Sequence, residues 1–290
     1  MPDGTIPEKR CVMWQDKRMI VAGGTAGFGL VLARHLARRG GRVVLVGRSS
    51  AGVRRAIEIC ERAGEGTVRG LAADLARSGE GHRVVAEAEA IFGGVDAVFC
   101  CVGRSGRGRV LDASADRLRE SLEANLLAAV EITQAAADAV TASGGHLVYL
   151  GSLAGKLASP FMGSYAVGKR ALAAYVDAVR LELAPRGVHV LLVSPGPIGR
   201  RDDDPAAGQA AERYADDVAK AGLPAEALAA GGTRRLRPLD PDRLAGMVLE
   251  ACRRRTSELV VPRKAAWLAG LIEWFPDAGR RLLARVTRGG

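Results

Sequence analysis

Short apolar runs alternate with longer amphipathic stretches along most of the chain. Apolar runs bounded by glycine or polar residues are typical of the buried strands of a parallel sheet. Stretches with apolar residues at every third or fourth position are typical of helices that pack on such a sheet. Strands are predicted at 18–22, 42–46, 67–71, 95–101, 145–150, 188–194 and 258–261. Helices are predicted at about 30–39, 51–63, 79–92, 114–142, 164–183, 205–221 and 241–254.

This alternation predicts an α/β fold with a single doubly wound parallel sheet, a Rossmann fold of about seven strands with helices on both faces. The domain would span 18–262 and include a long connection at 197–238. Residues 1–17 are expected to form a loose N-terminal arm, and 263–290 an amphipathic C-terminal tail. Ligands of such a sheet bind at the carboxyl ends of the strands.

Composition limits the classes of function. The formal net charge is +10, but aromatic residues make up only 4% of the chain and no basic run contains them, so we expect no nucleic-acid partner. Five cysteines without metal-ligand spacing predict reduced thiols in the cytoplasm and no metal site. Nothing in the sequence resembles a signal peptide or approaches the ~20 apolar residues that cross a bilayer.

A glycine-rich loop follows the first predicted strand and precedes a helix. Its candidate binding residues are Gly23, Thr25, Gly27, Phe28 and Gly29. Glycines let the backbone approach a ligand closely, and the free N–H groups of the following helix favour a phosphate or pyrophosphate. The placement between strand and helix predicts a nucleotide site, although a tight turn with packing glycines would give the same pattern.

The second predicted strand ends at Gly47-Arg48-Ser49, about 20 residues past the glycine loop. An acidic residue at this place would bind the ribose 2′-hydroxyl of NAD, whereas an arginine would accept the 2′-phosphate of NADP. A guanidinium suits phosphate geometry, so Arg48 favours NADP. The alternative is an exposed loop arginine in an arginine-rich protein.

A tyrosine and a lysine in the predicted helix 164–183 suggest acid–base chemistry. Tyr165 and Lys169 are four residues apart and so share one face of the helix. A nearby positive charge lowers the pKa of a phenol from about 10, which makes it a usable acid or base. Ser152, in the preceding loop, adds a hydroxyl that can hold a substrate oxygen. The pair alone also occurs on solvated helix faces, so its strand–loop–helix–strand context carries the interpretation.

The chain resembles the NADP-preferring short-chain dehydrogenase/reductases over roughly residues 18–262. The family's glycine motif appears as Ala22-Gly-Gly-Thr-Ala-Gly-Phe-Gly29, and its serine stands thirteen residues before its tyrosine. The resemblance implies that the catalytic residues are Asn125, Ser152, Tyr165 and Lys169. It implies further cofactor contacts from Arg48, Ser49, Asp74, Leu75, Gly103, Tyr165, Lys169, Pro195, Gly196 and Ile198.

The implied reaction is hydride transfer between NADP(H) and a ketone, an aldehyde or a secondary alcohol. Tyr165 would act as general acid or base, and Ser152 would orient the substrate oxygen. Lys169 would lower the pKa of the tyrosine and hold the nicotinamide ribose, while Asn125 would steady a water. The region 197–238 would be the substrate lid. The alternatives are a non-catalytic NADP-binding redox sensor or assembly protein, and an epimerase on the same fold.

Two positions depart from the family's pattern. Cys100-Cys101-Val102-Gly103 stands where Asn-Asn-Ala-Gly is usual, and Arg200 stands where a threonine contacts the nicotinamide carboxamide. The nicotinamide is therefore expected to be placed differently, through the backbone of Ile198. The resemblance also implies a homodimer or homotetramer, paired through the helices at 114–142 and 164–183.

The tail, 263–290, has apolar residues at helical spacing, and Pro276 is expected to interrupt the helix. The apolar residues are Trp267, Leu268, Leu271, Ile272 and Phe275, followed by Leu282, Leu283 and Val286. Six basic and two acidic residues give the segment a net charge of +4. It is expected to pack on its own domain or on a partner subunit. The alternative is peripheral membrane contact, in which case the substrate would be a lipid-like ketone.

Overall fold

The computed structural model describes residues 12–64, 66–201, 204, 207–229 and 237–288. Among these residues seven parallel strands form one sheet, ordered β3-β2-β1-β4-β5-β6-β7. The strands are β1 (Arg18–Ala22), β2 (Arg42–Gly47), β3 (Thr67–Ala72), β4 (Ala97–Cys100), β5 (His146–Leu150), β6 (His189–Pro195) and β7 (Glu258–Val261). The predicted doubly wound sheet is confirmed, and the strand order reverses between β1 and β4.

Helices cover both faces of the sheet. They are α1 (Gly27–Ala37), α2 (Ser50–Glu61), α3 (Glu80–Phe92), α4 (Ala115–Leu122), α5 (Ala128–Ala142), α6 (Gly163–Leu183), α7 (Ala207–Lys220), α8 (Pro241–Arg253), α9 (Arg263–Trp274) and α10 (Pro276–Arg288). One apolar core joins α1, α2 and α8 to the sheet, and a second joins α3, α5 and α6 to its other face. Because both faces are covered, strands such as β6 are buried throughout, which explains their unbroken apolar sequences.

The predicted helix 114–142 is interrupted. It consists of α4 and α5 joined by a π-helical turn, Glu123–Leu127, with Asn125 in that turn. A π turn adds one residue to the helical repeat and re-aims the side chains within it. Asn125 is fully buried as a result, and its amide donates hydrogen bonds to the carbonyl oxygens of Arg104 and Ser121, both at 3.0 Å.

The N-terminal segment differs from the loose arm that was predicted, as far as it is described. Residues 1–11 lie outside the described part, but Val12–Trp14 forms a short 3₁₀ helix. Trp14 is buried, and its ring centroid lies 5.6 Å from that of Phe99 and 5.5 Å from that of His146. Burial of so large an aromatic surface fixes this segment to the sheet.

The predicted lid and tail are helical where they are described. The lid helix α7 runs from 207 to 220, against the predicted 205–221, and residues 202–203, 205–206 and 230–236 lie outside the described part. Pro276 separates α9 from α10, as expected. A Cβ on Gly279 would lie 2.7 Å from the Cα of Ile272, so this glycine lets α9 and α10 pack closely as a hairpin. None of the helices in the described ranges is both long and apolar enough to cross a membrane.

Candidate active site

The predicted site residues meet at the carboxyl edge of the sheet. All six strands from β1 to β6 end there in loops, as parallel strands must. The glycine loop follows β1, Arg48 and Ser49 follow β2, and Asp74 and Leu75 follow β3. Gly103 follows β4 and Ser152 follows β5, whereas Pro195, Gly196 and Ile198 lie at the end of β6. Asn125, Tyr165 and Lys169 reach this edge from the π turn and α6.

The glycine loop forms a cradle that side chains would fill. Gly23 has φ +77°, its N–H donates to the carbonyl of Val46 at 2.9 Å, and a Cβ there would lie 3.0 Å from the backbone of Cys101. A Cβ on Gly29 would overlap the carbonyl oxygen of Gly23. Helix α1 begins at Gly27, and the side chain of the preceding Ala26 provides no cap for the N–H groups at this end of the cradle. This arrangement fits a nucleotide phosphate.

A lid carboxylate lies at the same helix N-terminus. The backbone N–H of Gly27 donates to Oδ1 of Asp204 at 3.1 Å, and Arg200 donates to Oδ2 of Asp204 at 2.6 Å. Asp204 is buried, and the positive end of the α1 dipole favours a negative charge there. Arg200, which replaces the family's threonine, therefore pairs with a residue of its own segment. Asp204 is not among the predicted site residues, because acidic residues in the lid carry no pattern that ties them to α1.

The end of β2 places Arg48 beside this cradle. Arg48 is exposed, and Ser49 caps α2 by accepting a hydrogen bond from the N–H of Gly52 at 3.1 Å. A Cβ on Gly47 would run into Thr25, so the glycine loop packs directly on the end of β2. The guanidinium is thus free to meet an anion beside the phosphate cradle.

Asn125, Lys169 and Gly103 converge between the ends of β4 and β5. A Cβ on Gly103 would lie 2.8 Å from Oδ1 of Asn125 and 2.9 Å from Nζ of Lys169, so only glycine fits. Lys169 is buried, and Nζ donates to the carbonyl oxygens of Leu150 at 2.8 Å and Val102 at 3.4 Å. Burial lowers the pKa of Lys169 to about 8.

Ser152 and Tyr165 lie close enough for the serine hydroxyl to influence the phenol. Burial raises the pKa of the Tyr165 phenol above its ordinary value, while Ser152 and the charge of Arg107 act in the opposite direction. The prediction that Lys169 lowers this pKa is wrong for this structure. The Lys169 ammonium is directed at backbone carbonyls, and burial outweighs the groups that favour the phenolate.

Arg107, which joins the lid to the site, is also not among the predicted site residues. Its side chain is only 6% exposed, and Nε donates to the carbonyl of Ala227 at 2.7 Å and Nη2 to that of Ala229 at 3.2 Å. The guanidinium lies 4.0 Å from the ring centroid of Tyr214 on α7. The glycine- and arginine-rich segment 104–109 predicts only a loop. Contacts more than a hundred residues away cannot be read from it.

Tyr214 brings a second phenol close to Tyr165. Its hydroxyl makes a short hydrogen bond with the hydroxyl of Ser105. Burial acts to raise the pKa of Tyr214, but the hydrogen bond with Ser105 and the charges of Arg107, Arg213 and Arg200 outweigh it, so the net pKa lies below the ordinary value. The pKa of Tyr165 is therefore raised, whereas the pKa of Tyr214 is lowered.

Within the described residues a His/Cys cluster lies at the opposite end of the sheet, where β5 and β6 begin. The potential ligand atoms of His146, His189 and Cys252 lie within 4.8 Å of one another. The Nδ1 atoms of the two histidines are 2.9 Å apart, and Nε2 of His189 donates to the carbonyl of Thr256 at 2.8 Å. Burial lowers the pKa of His146 to about 4 and also lowers the pKa of His189. Both rings are therefore neutral, and a hydrogen bond joins their Nδ1 atoms.

Comparison with known proteins identifies the family. The short chain dehydrogenase family profile matches residues 17–203, more than half of the chain. Dehydrogenase/reductase SDR family member 7B of Danio rerio is 33% identical over 191 residues, 63% of this chain and 61% of that protein. Ketoacyl reductase HetN of Nostoc sp. is 30% identical over 181 residues, 62% of this chain and 63% of that protein. The chain thus spans less than two thirds of the length of these relatives.

Solved structures show the same architecture. A short-chain type dehydrogenase/reductase from Mycobacterium ulcerans, 25% identical, superposes with a TM-score of 0.69 over 85% of this chain and 88% of its own. An alcohol dehydrogenase from the archaeon Thermococcus sibiricus, complexed with 5-hydroxy-NADP, is 22% identical and superposes with a TM-score of 0.68 over 85% of this chain and 96% of its own. On the profile match and this fold, the chain belongs to the short-chain dehydrogenase/reductase family of nicotinamide-dependent oxidoreductases.

Proposed function

We propose that the chain is an NADPH-dependent reductase of a ketone or aldehyde, working in the reverse direction on the secondary or primary alcohol. The observation that carries the proposal is the convergence of Asn125, Lys169 and the Ser152–Tyr165 pair at the edge of the sheet where the glycine cradle opens. A non-catalytic NADP-binding sensor is the alternative. It is disfavoured because such a protein has no need for a serine hydroxyl beside a phenol at the same edge of the sheet as a buried lysine.

The cofactor would lie along the carboxyl edge and supply the hydride. The N–H groups at the start of α1 and the glycine cradle would hold its diphosphate, and Arg48 and Ser49 its 2′-phosphate. Asp74 and Leu75 would contact the adenine, and Lys169 the nicotinamide ribose. Near the nicotinamide the contacts would come from Gly103, Pro195, Gly196 and Ile198, since Arg200 is engaged with Asp204.

Tyr165 would give its proton to the substrate oxygen during reduction. Burial raises the pKa of Tyr165, so the phenol is protonated at neutral pH and has a proton to give. Ser152 would hold the same oxygen and stabilise the negative charge that develops on it. Asn125 has its side chain fixed by Arg104 and Ser121, which orients its amide beside Lys169 for a water that returns protons from solvent.

Replacement of Tyr165 tests the reaction. In Tyr165→Phe the ring remains and only the proton donor is lost, so we expect turnover to fall by at least about 100-fold while NADPH binding stays within about twofold. Tyr175→Phe is the matched control, because Tyr175 lies on the same helix and its hydroxyl lies near Thr133, outside the site. NADPH oxidation with a panel of ketones and aldehydes measures turnover. Unchanged turnover in Tyr165→Phe would place the acid elsewhere.

Replacement of Arg48 tests the choice of cofactor. A charge-assisted contact with the 2′-phosphate is worth about 1.5–3 kcal/mol, so Arg48→Ala should reduce the preference for NADPH over NADH by tenfold or more. Arg62→Ala, an exposed arginine at the far end of α2, should leave the preference unchanged. Isothermal titration of both cofactors gives the ratio. Equal affinity of the unmodified protein for NADPH and NADH would contradict the proposal.

We further propose a homodimer or homotetramer in the cytoplasm. Large apolar side chains are exposed on the π turn and α6, among them Leu127, Val167 and Leu181, and a second copy would cover them. The four described cysteines, Cys60, Cys100, Cys101 and Cys252, are free thiols, as a reducing compartment requires. Light scattering at micromolar concentration checks the assembly, and a monomer mass would contradict it.

A further inference from the structure

The α9–α10 hairpin leaves its aromatic side chains uncovered. Trp267 is 77% exposed, Trp274 82% and Phe275 63%. The aliphatic residues of the same stripe, Leu268 and Ile272, are partly buried in the hairpin instead. The single apolar stripe expected from the sequence is therefore divided into a packed aliphatic side and an exposed aromatic side.

The exposed aromatic residues share their face of α9 with cations. Trp267 and Trp274 are seven residues apart, so they stand two turns apart on the same side, about 10 Å along the axis. Arg263 and Lys264 precede Trp267 by four and three residues and therefore lie one turn away on that side. Both cations are exposed. Indoles and positive charges thus form one continuous surface.

Helix α10 adds positive charge to the hairpin. Arg280, Arg281 and Arg285 are exposed there. The acidic residues do little to balance them, because Glu273 is engaged by Arg170 at 3.2 Å and only Asp277 remains on the hairpin. The segment 263–290 has a net charge of +4.

The hairpin is joined to the domain at its N-terminal end. Helix α9 starts two residues after the last residue of β7. An exposed ion pair joins Arg170 on α6 to Glu273 on α9 at 3.2 Å. Gly279 lets α10 pack against Ile272. The exposed aromatic residues therefore lie on a folded hairpin that follows the last strand.

We propose that this surface, formed by Arg263, Lys264, Trp267, Trp274 and Phe275 with the arginines of α10, docks the protein on a membrane that contains anionic lipid. Indole rings suit the boundary between headgroups and acyl chains, and arginine and lysine meet the anionic headgroups. A second copy of the chain fits less well, because a two-fold contact would bring two positively charged surfaces together.

Vesicle binding tests the proposal on the full chain, without dependence on catalysis. We expect co-sedimentation with vesicles of phosphatidylcholine containing about one third phosphatidylglycerol, at least tenfold weaker binding to pure phosphatidylcholine, and loss of binding as salt rises from about 0.1 to 1 M. Tryptophan fluorescence gives a second readout. Two of the three tryptophans are exposed on the hairpin while Trp14 is buried, so binding should shift the emission to the blue.

Two kinds of variant locate the surface. Trp267→Ala/Trp274→Ala and Arg280→Glu/Arg281→Glu should each weaken vesicle binding by at least tenfold. Arg54→Glu/Arg55→Glu is the matched control, because it reverses an equally exposed arginine pair on α2 and should change binding by less than about threefold. Circular dichroism and thermal unfolding confirm that the variants fold. Absence of binding to anionic vesicles, or binding that both hairpin variants retain, overturns the proposal. The proposal is also overturned if the protein does not bind vesicles but forms a dimer that only the tryptophan variant disrupts. The surface would then be the contact with a second copy of the chain.

Discussion

Asp204 should compete with the cofactor, and its replacement should tighten NADPH binding. The Asp204 carboxylate accepts the N–H of Gly27 at 3.1 Å, at the helix N-terminus that would hold the cofactor's diphosphate. A diphosphate that takes the N–H of Gly27 would displace the Asp204 carboxylate. The affinity of the unmodified protein for NADPH would then be reduced by the free energy of the contact that is broken.

The size of the effect follows from that contact. A carboxylate at a partly buried helix N-terminus is stabilised by up to about 2 kcal/mol, and a charge-assisted hydrogen bond falls in the same range. Asp204→Asn keeps the shape and removes the charge, so we expect NADPH to bind more tightly by about 1–2 kcal/mol, roughly 5- to 30-fold. The released Arg200 adds a cation near the diphosphate, which acts in the same direction.

Isothermal titration with NADPH measures the change. Asp216→Asn is the matched control: it removes one exposed negative charge from α7 of the same lid without touching α1. Its affinity should stay within about twofold of the unmodified protein at moderate salt. NADPH binding to Asp204→Asn that is no tighter than to the unmodified protein would refute the reasoning. If Asp216→Asn increases the affinity for NADPH by the same factor, the effect comes from the overall charge of the lid and not from the contact with Gly27.

Two further perturbations test other parts of the structure. Arg107→Ala leaves the carbonyls of Ala227 and Ala229 without their donor, so we expect the closed lid to lose about 2–4 kcal/mol, seen as faster hydrogen exchange at 213–229 and a higher KM. Arg119→Ala breaks only the exposed ion pair with Asp116 and should cost less than about 1 kcal/mol; equal effects would contradict the reasoning. Because the pKa of His146 is about 4 in the folded chain against about 6.5 unfolded, the unfolded chain takes up its proton first, and stability falls as the pH drops from 6.5 towards 4. Urea unfolding at pH 7 and at pH 5 measures how much the free energy of unfolding decreases between the two. This decrease should be about 2 kcal/mol smaller in His146→Phe than in the unmodified protein, whereas a replacement of the exposed His82 should leave the decrease unchanged.

The sequence predicts the sheet and the places of its strand ends because both depend on local patterns. Apolar runs such as β6 are buried on two faces, and glycines such as Gly23 and Gly103 stand where a Cβ has no room. The π turn at Asn125 is not predicted, since its sequence is as helical as its surroundings. The pKa of Tyr165 was predicted with the wrong sign, because spacing along a helix gives proximity to Lys169 but not the depth of burial.

The salt bridge between Arg200 and Asp204 accounts for both residues. An arginine in place of the family's threonine removes the short hydroxyl that would contact the nicotinamide carboxamide. The structure pairs this arginine at 2.6 Å with a carboxylate that is buried against the start of α1. A buried carboxylate requires a cation or several donors to offset its desolvation, and Arg200 and Gly27 provide them. The salt bridge between Arg200 and Asp204 therefore holds the first part of the lid at the end of the site where the diphosphate would bind. Arg107 holds the later part of the lid near Tyr165. Because the first anchor occupies the proposed cofactor site, binding of the cofactor there would displace this anchor and release the start of the lid.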